Sequence, residues 1–553
     1  MSDVMWWRNL MFAALCLTAL GGLSGLLLRG ERLVDLPNLD AALAARTEYH
    51  DVVQRVNREF AAEWQRRGVE PAERADDLMI ARRLALGLTG TIPSLEEIRA
   101  FEARPASVRI EWWLSRLLAD RRYSDYVAER MARAFVGTDQ GPFLLFRRRR
   151  FVMWLSDQLA ANRPYDELVR ELLTAKGLWT DAPAVNFLTA TADGNEKGQP
   201  DDIKLAGRTA RAFLAVRIDC LQCHDDKLGN IEIGDIGALR SGEQADFHAL
   251  AAYFSQAEAS LFGIRDGARD YRYQFLNEEE ETQVVPQPPF LGELVPRAKT
   301  RREQLARWVT HPQNRPFARA TVNRLWAILC GSPLVAPIDS IPLAGPFPPG
   351  LETLADDFVA HGYDLQRLIR VIAATDVYQR DSRRTTGEVT VEQEQAWAVF
   401  PLSRLRPDQV AGSIIQSASL TTLDAEAHIL AQLGRFFQAR DFVERYGDIG
   451  EDEFADHPGT ITQRLLLMNG KLVRERTDQN PITNASTRIA MLAGDDQSAL
   501  ETAFLCTLTR RPVGEELSRF QARLADSRGA QRQRILTDIC WTLLNSSEFS
   551  WNH

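Results

Sequence analysis

The chain is poor in the residues that most often carry chemistry, with 6 cysteines and 8 histidines among 553 residues. So few cysteines in so long a chain exclude a disulfide scaffold. An excess of positive charge is also missing. The formal net charge is −9 and the pI about 5.6, which argues against nucleic acid as a partner, because phosphate binding calls for a basic surface. The body of the chain contains no HExxH, P-loop, GxGxxG or GxSxG motif, so the usual signatures of zinc proteases, NTPases, dinucleotide enzymes and serine hydrolases are absent. No repeat of fixed period and no low-complexity block is found. What remains is an ordinary globular composition, 45 % hydrophobic and 25 % charged, long enough for roughly two to four domains.

Against that background one pentapeptide stands out: Cys220-Leu221-Gln222-Cys223-His224. Two thiols three residues apart, followed at once by a histidine, match the attachment site of a c-type haem. Each thiol adds to a haem vinyl group, and the adjacent imidazole becomes the proximal iron ligand. Two rivals share these residues. A CxxC pair is also half of a zinc site, although Cys330, Cys506 and Cys540 are isolated and offer no second CxxC. It is equally the signature of a dithiol redox pair, although that reading wants a βαβ setting and the flanks here read as helical.

Residues 10–28 (LMFAALCLTALGGLSGLLL) form an apolar run without a charge, long enough to span a bilayer. Trp6 and Trp7 precede it as interfacial aromatics would, with Arg8 beside them. Ala19-Leu20-Gly21 is a passable cleavage site for a signal peptide, but the apolar run continues through Leu26-Leu27-Leu28, which favours an uncleaved anchor. Both readings place the body outside the cytoplasm, on the side where c-type haem is assembled; the uncleaved anchor would tether it to the inner membrane, facing the periplasm.

Helical periodicity dominates the rest. Residues 45–68 read as a stalk or first helix, and helices follow at 110–119, 124–135, 151–160 and 165–173. Residues 204–216 lead as a helix into the CxxCH. The pattern breaks where Tyr271, Tyr273 and Phe275 alternate with polar residues and Pro286, Pro288 and Pro289 follow an acidic run at 278–281. That segment reads as short strands and a linker. The expected fold is therefore mainly α: two helical domains joined by a short Pro-rich segment with minor β, preceded by one N-terminal transmembrane helix. The boundaries are 1–30 for the anchor, 31–75 for the stalk, 76–262 for the CxxCH domain, 263–298 for the linker and 299–553 for the second helical domain.

Several stretches resemble a known arrangement, the planctomycete-type cytochrome c domain followed by its usual companion domain, both of unknown function. RRLALGLTGTIPSLEEIRAF, RLLADRRYSDYVAERMARAF and GRTARAFLAVRIDCLQCHDDK are similar to the first domain, and LARWVTHPQNRPFARATVNRLWAILCG and LADDFVAHGYDLQRLIRVIAATDVYQRDSR to the second. The resemblance implies an exported, mostly helical protein with one covalent haem c, and supplies no reaction. One departure is notable: many members read Cys-His-Asp-His, whereas Asp226 stands here at the second histidine's place.

Candidate site residues follow. Cys220 and Cys223 would hold the haem, and His224 would ligate the iron. His248, on the edge of the stripe formed by Phe247, Leu250, Ala251 and Phe254, is a candidate distal ligand or a core-edge histidine. Asp225 and Asp226 are candidates to accept the proximal imidazole N–H, or plain surface carboxylates. Met79, Met131, Met153, Met468 and Met491 lie in apolar helical contexts and read as packing residues. The four arginines at 147–150 read as a solvated basic patch, or as partners for haem propionates or lipid headgroups. The leading function is electron transfer with a redox protein partner. The alternatives are a haem oxidoreductase with an open sixth position, and a non-catalytic binding module whose CxxCH is vestigial or binds zinc.

Overall fold

The helix Asp77–Thr89 organises the chain. Asp76 caps it by accepting the Leu78 N–H, and Gly90 ends it in the left-handed conformation (φ 69°). In the computed structural model this helix is buried on nearly every side, because it packs against two hydrophobic cores at once. Leu78, Ile80, Ala81, Leu84, Ala85 and Leu88 belong to the first core, while Leu86 and nearby Ile92 belong to the second. The structure describes residues 39–139, 148–192, 198–235, 237–276, 278–385, 387–423, 429–448, 450, 454, 459–480 and 484–553.

The described chain is mainly helical, and its β-structure is confined to short two-stranded antiparallel ladders. The first core gathers apolar residues from Tyr49 to Phe400 with Leu505 and Cys506. The second gathers residues from Leu405 to Phe549 with Leu86 and Ile92. The cores thus divide near residue 402. The segment 263–298 does not separate them: Ile264, Tyr271 and Phe290 are buried in the first core.

The transmembrane helix expected as part of the fold is not found: among the described residues, no helix is long and apolar enough to cross a membrane. The apolar run at 10–28 lies outside the described residues. The segment expected as a stalk is a packed helix, Leu39–Arg67, with Tyr49, Val52, Val53, Val56, Phe60 and Trp64 buried in the first core. Its helical spacing was legible; what its apolar face meets is supplied by distant residues.

Two adjacent arginines on the shared helix tie it to backbone far along the chain. Arg82 donates to the carbonyls of Thr507 (3.2 Å) and Phe549 (3.3 Å). Arg83 donates to the carbonyls of His553 (2.7 Å), Arg380 (2.7 Å) and Tyr378 (3.1 Å), and lies over the Phe400 ring at 3.7 Å. Both are almost fully buried, and burial pulls both guanidinium pKa values down to about 10. Their charge is met by carbonyl dipoles, and among the described residues no carboxylate side chain contacts either.

Candidate functional site

The motif is built by a change of helical pitch. Asp201 caps the helix Asp202–Thr209 by accepting the N–H groups of Ile203 and Lys204, both at 3.0 Å. One π-helical turn, Ala210–Leu214, follows and ends at Ala215 in the left-handed region. The chain then enters a 3₁₀ turn, Asp219–Gln222. At three residues per turn, positions three apart share a face. Ile218 and Leu221 are fully buried in the first core, while Cys220 and Cys223 are both exposed and free. The buried pair pins the turn, and the thiols share the open side.

His224 is exposed beside them, its Nδ1 2.9 Å from the carbonyl oxygen of Asp225. Since a carbonyl only accepts, Nδ1 carries the proton, and the Nε2 lone pair is left available. This orients an imidazole as metal-ligating histidines are oriented.

His248 takes a different part from the distal ligand entertained above. It is buried, and both ring nitrogens are engaged. Nε2 lies 3.0 Å from the Gln222 carbonyl and Nδ1 2.8 Å from the Tyr271 hydroxyl. The carbonyl fixes the proton on Nε2, so Nδ1 accepts from Tyr271. Burial lowers the His248 pKa below its usual value, the Gln222 carbonyl opposing it, so the ring is neutral at neutral pH. It is sandwiched by aromatics, with the Tyr273 ring stacked at 3.5 Å and Phe275 edge-on at 5.7 Å. His248 therefore braces the motif from behind and offers no free nitrogen to a metal. Among the described residues, no group of three or more His, Cys, Asp or Glu is arranged to hold a metal ion.

Gln244, Tyr271 and Tyr273 complete this brace and were not singled out as site residues in the sequence. The Gln244 side chain donates to the Gln222 carbonyl (3.1 Å) and accepts the Leu276 N–H (3.2 Å). Its own N–H donates to Asp225 at 2.9 Å. The Tyr271–Tyr273–Phe275 alternation was legible as a strand, and Arg272–Tyr273 does pair with Thr282–Gln283. Nothing local indicated that its aromatic face receives His248.

The two aspartates do not serve the imidazole. The Asp225 carboxylate accepts from Gln244 and pairs with Lys227 at 3.1 Å, which holds its pKa down. Asp226 closes the following loop, accepting the N–H groups of Ile231 (2.6 Å) and Leu228 (3.0 Å). Those backbone donors keep its pKa low.

Of the basic run, Arg149 and Arg150 are exposed, as a solvated patch requires, and Arg148 departs from that reading. Arg147 lies outside the described residues. Arg148 is buried and paired with both oxygens of Glu129 at 2.8 Å, and Arg150 reaches the Thr180 carbonyl at 3.3 Å. Of the methionines, Met131 is in the core and Met79 packs against it, whereas Met153, Met468 and Met491 are exposed.

Residues 55–259 match a family model described as PSCyt2, protein of unknown function (DUF1549). Residues 301–432 match a second, PSD1, protein of unknown function (DUF1553). No curated protein and no solved structure matches the chain.

Proposed function

Because the chain carries the planctomycete-type cytochrome c domain followed by its companion, we propose that it is a monohaem c-type protein that passes single electrons to and from a redox partner. Cys220 and Cys223 would each add a thiol S–H across a haem vinyl group, forming a thioether with no net oxidation. His224 would present Nε2 to the iron. When bound, the haem supplies a one-electron couple.

The observation that carries this reading is the pairing of two free, exposed thiols with an imidazole whose Nδ1 is already committed to the Asp225 carbonyl. The surroundings fit a macrocycle as well. Leu228 and Leu276, on segments flanking the motif, are 85 % and 61 % exposed, apolar surface that a porphyrin would cover. Gln244, Tyr273 and His248 hold the Gln222 carbonyl from the other side. The turn is thereby fixed before any haem is attached, a preorganisation that favours attachment at both sulfurs. Attachment of haem c takes place outside the cytoplasm, so the proposal includes export of the body of the chain.

The test is expression in a host that matures c-type cytochromes. A sharp reduced α-band, and haem that stays with the polypeptide through denaturing electrophoresis, are expected. C220S/C223S should lose the covalent haem. A colourless protein of unmodified mass overturns the proposal.

A second reading has its own observation. With both nitrogens of His248 engaged, that histidine is not a second axial ligand, which favours an open sixth position and a haem that binds small ligands. Rapid carbon monoxide binding by the reduced protein would select this reading, and an unchanged spectrum would select electron transfer alone.

A further inference from the structure

A groove of about 750 Å³ runs along the seam of the two cores, within the size range of small-molecule sites. One wall is the helix Leu95–Glu102, which contributes Leu95, Glu96, Arg99 and Ala100. The other is the helix Ala485–Leu492, with Arg488, Ile489 and Leu492, and Leu420 and Thr421 also line it. Leu95 belongs to the first core and Ile489 to the second, while Leu420 packs against both.

The polar content of the groove is unequal in sign. Arg99 and Arg488 make no ion pair or side-chain hydrogen bond among the described residues, in contrast to arginines on adjoining elements. Arg511 is paired with Glu102 at 2.6 Å, and Arg510 with Glu516 at 2.8 Å. Both guanidinium-bearing side chains line the same groove, one from each wall. The carboxylate in the groove, Glu96, is committed to the wall: it accepts the Thr422 N–H at 3.1 Å. The Glu96 N–H in turn donates to the Leu420 carbonyl at 3.1 Å, so this side is tied in place. Opposite, Leu492 is 74 % exposed at the rim.

We propose that this groove binds a small organic carboxylate with an apolar body, its carboxylate between Arg99 and Arg488 and its body along Leu95, Leu420, Ile489 and Leu492. A planar guanidinium fork matches a carboxylate. A bare inorganic anion would leave the apolar walls wet, and an uncharged amphiphile would leave both cations unmatched. The site is separate from the CxxCH turn, so its occupancy does not depend on whether haem is attached.

Ligand-observed NMR and calorimetry on the full chain test this, with octanoate as the probe and octan-1-ol and inorganic phosphate as controls. Octanoate should bind at least about tenfold more tightly than either control, as loss of one charge-assisted contact predicts. R99Q and R488Q should each weaken octanoate by about tenfold and erase its advantage over octan-1-ol, with melting temperatures unchanged. L492N should weaken octanoate and octan-1-ol alike. Equal binding of acid and alcohol, phosphate binding as tight as octanoate, no octanoate binding, or arginine variants that bind as the parent chain does would each overturn the proposal. If R99Q or R488Q melts early, L492N and the acid-to-alcohol comparison on the parent chain still decide it.

Discussion

The Nε2–H of His248 donates to the main-chain carbonyl of Gln222 at 3.0 Å, across 26 positions of sequence. A buried side chain thus holds the middle of a turn whose thiols face solvent. H248F keeps the aromatic stacking but removes this bond and leaves the Tyr271 hydroxyl without its acceptor. Denaturant unfolding should show a loss of about 2 kcal/mol, and hydrogen exchange at the Cys223 amide should accelerate.

The same histidine gives the motif a pH dependence of known sign. Burial lowers its pKa in the folded chain below the ordinary 6.5, so the unfolded state takes up the proton first. Its contribution is complete above about pH 6.5 and is lost as pH falls below that value. The protection factor of the Cys223 amide should fall as pH drops below about 6.5, and this component should vanish in H248F.

Asp226 is held as an anion by backbone donors of its own loop. D226H removes that acceptor. Limited proteolysis should then cut near Leu228 faster than in the parent chain, and D226N should fall between the two.

Arg83→Met removes the donor to three carbonyls, those of Tyr378, Arg380 and His553. Even with the volume filled, stability should fall by about 3 kcal/mol or more. Thermal melting monitored by circular dichroism checks this.

Gly263 has φ +93°, and a Cβ there would lie 2.1 Å from the backbone of Gly177. Gly177 exchanges hydrogen bonds with Ile264 at 2.8 and 2.9 Å, which leaves no room to shift. G263A should cost at least about 1–2 kcal/mol and lower the melting temperature.

The legible parts of this chain were those that local spacing dictates. Helical periodicity located most helices, and the order of thiols and imidazole located the turn that places Cys220, Cys223 and His224 together on its open side. The illegible parts depend on who meets whom. His248 sat at a stripe edge in the sequence, and neither Gln222 nor Tyr271 is within a helical turn of it. Local spacing says nothing of the partners of Arg82 and Arg83, which are carbonyls about 295 or more positions away. The acidic and Pro-rich composition of 263–298 looked like a linker, yet Ile264, Tyr271 and Phe290 are buried. Composition reports solvent exposure on average, and a few well-placed apolar residues override it.

The helix Asp77–Thr89 acts as a common keel: one set of its side chains belongs to each core, and its paired arginines clasp backbone from the last third of the chain. Scission anywhere between the two matched regions would strand apolar faces that have no other cover. The protein is therefore expected to melt as a single cooperative body, and a fragment trimmed to either matched region should collapse into aggregates instead of folding alone.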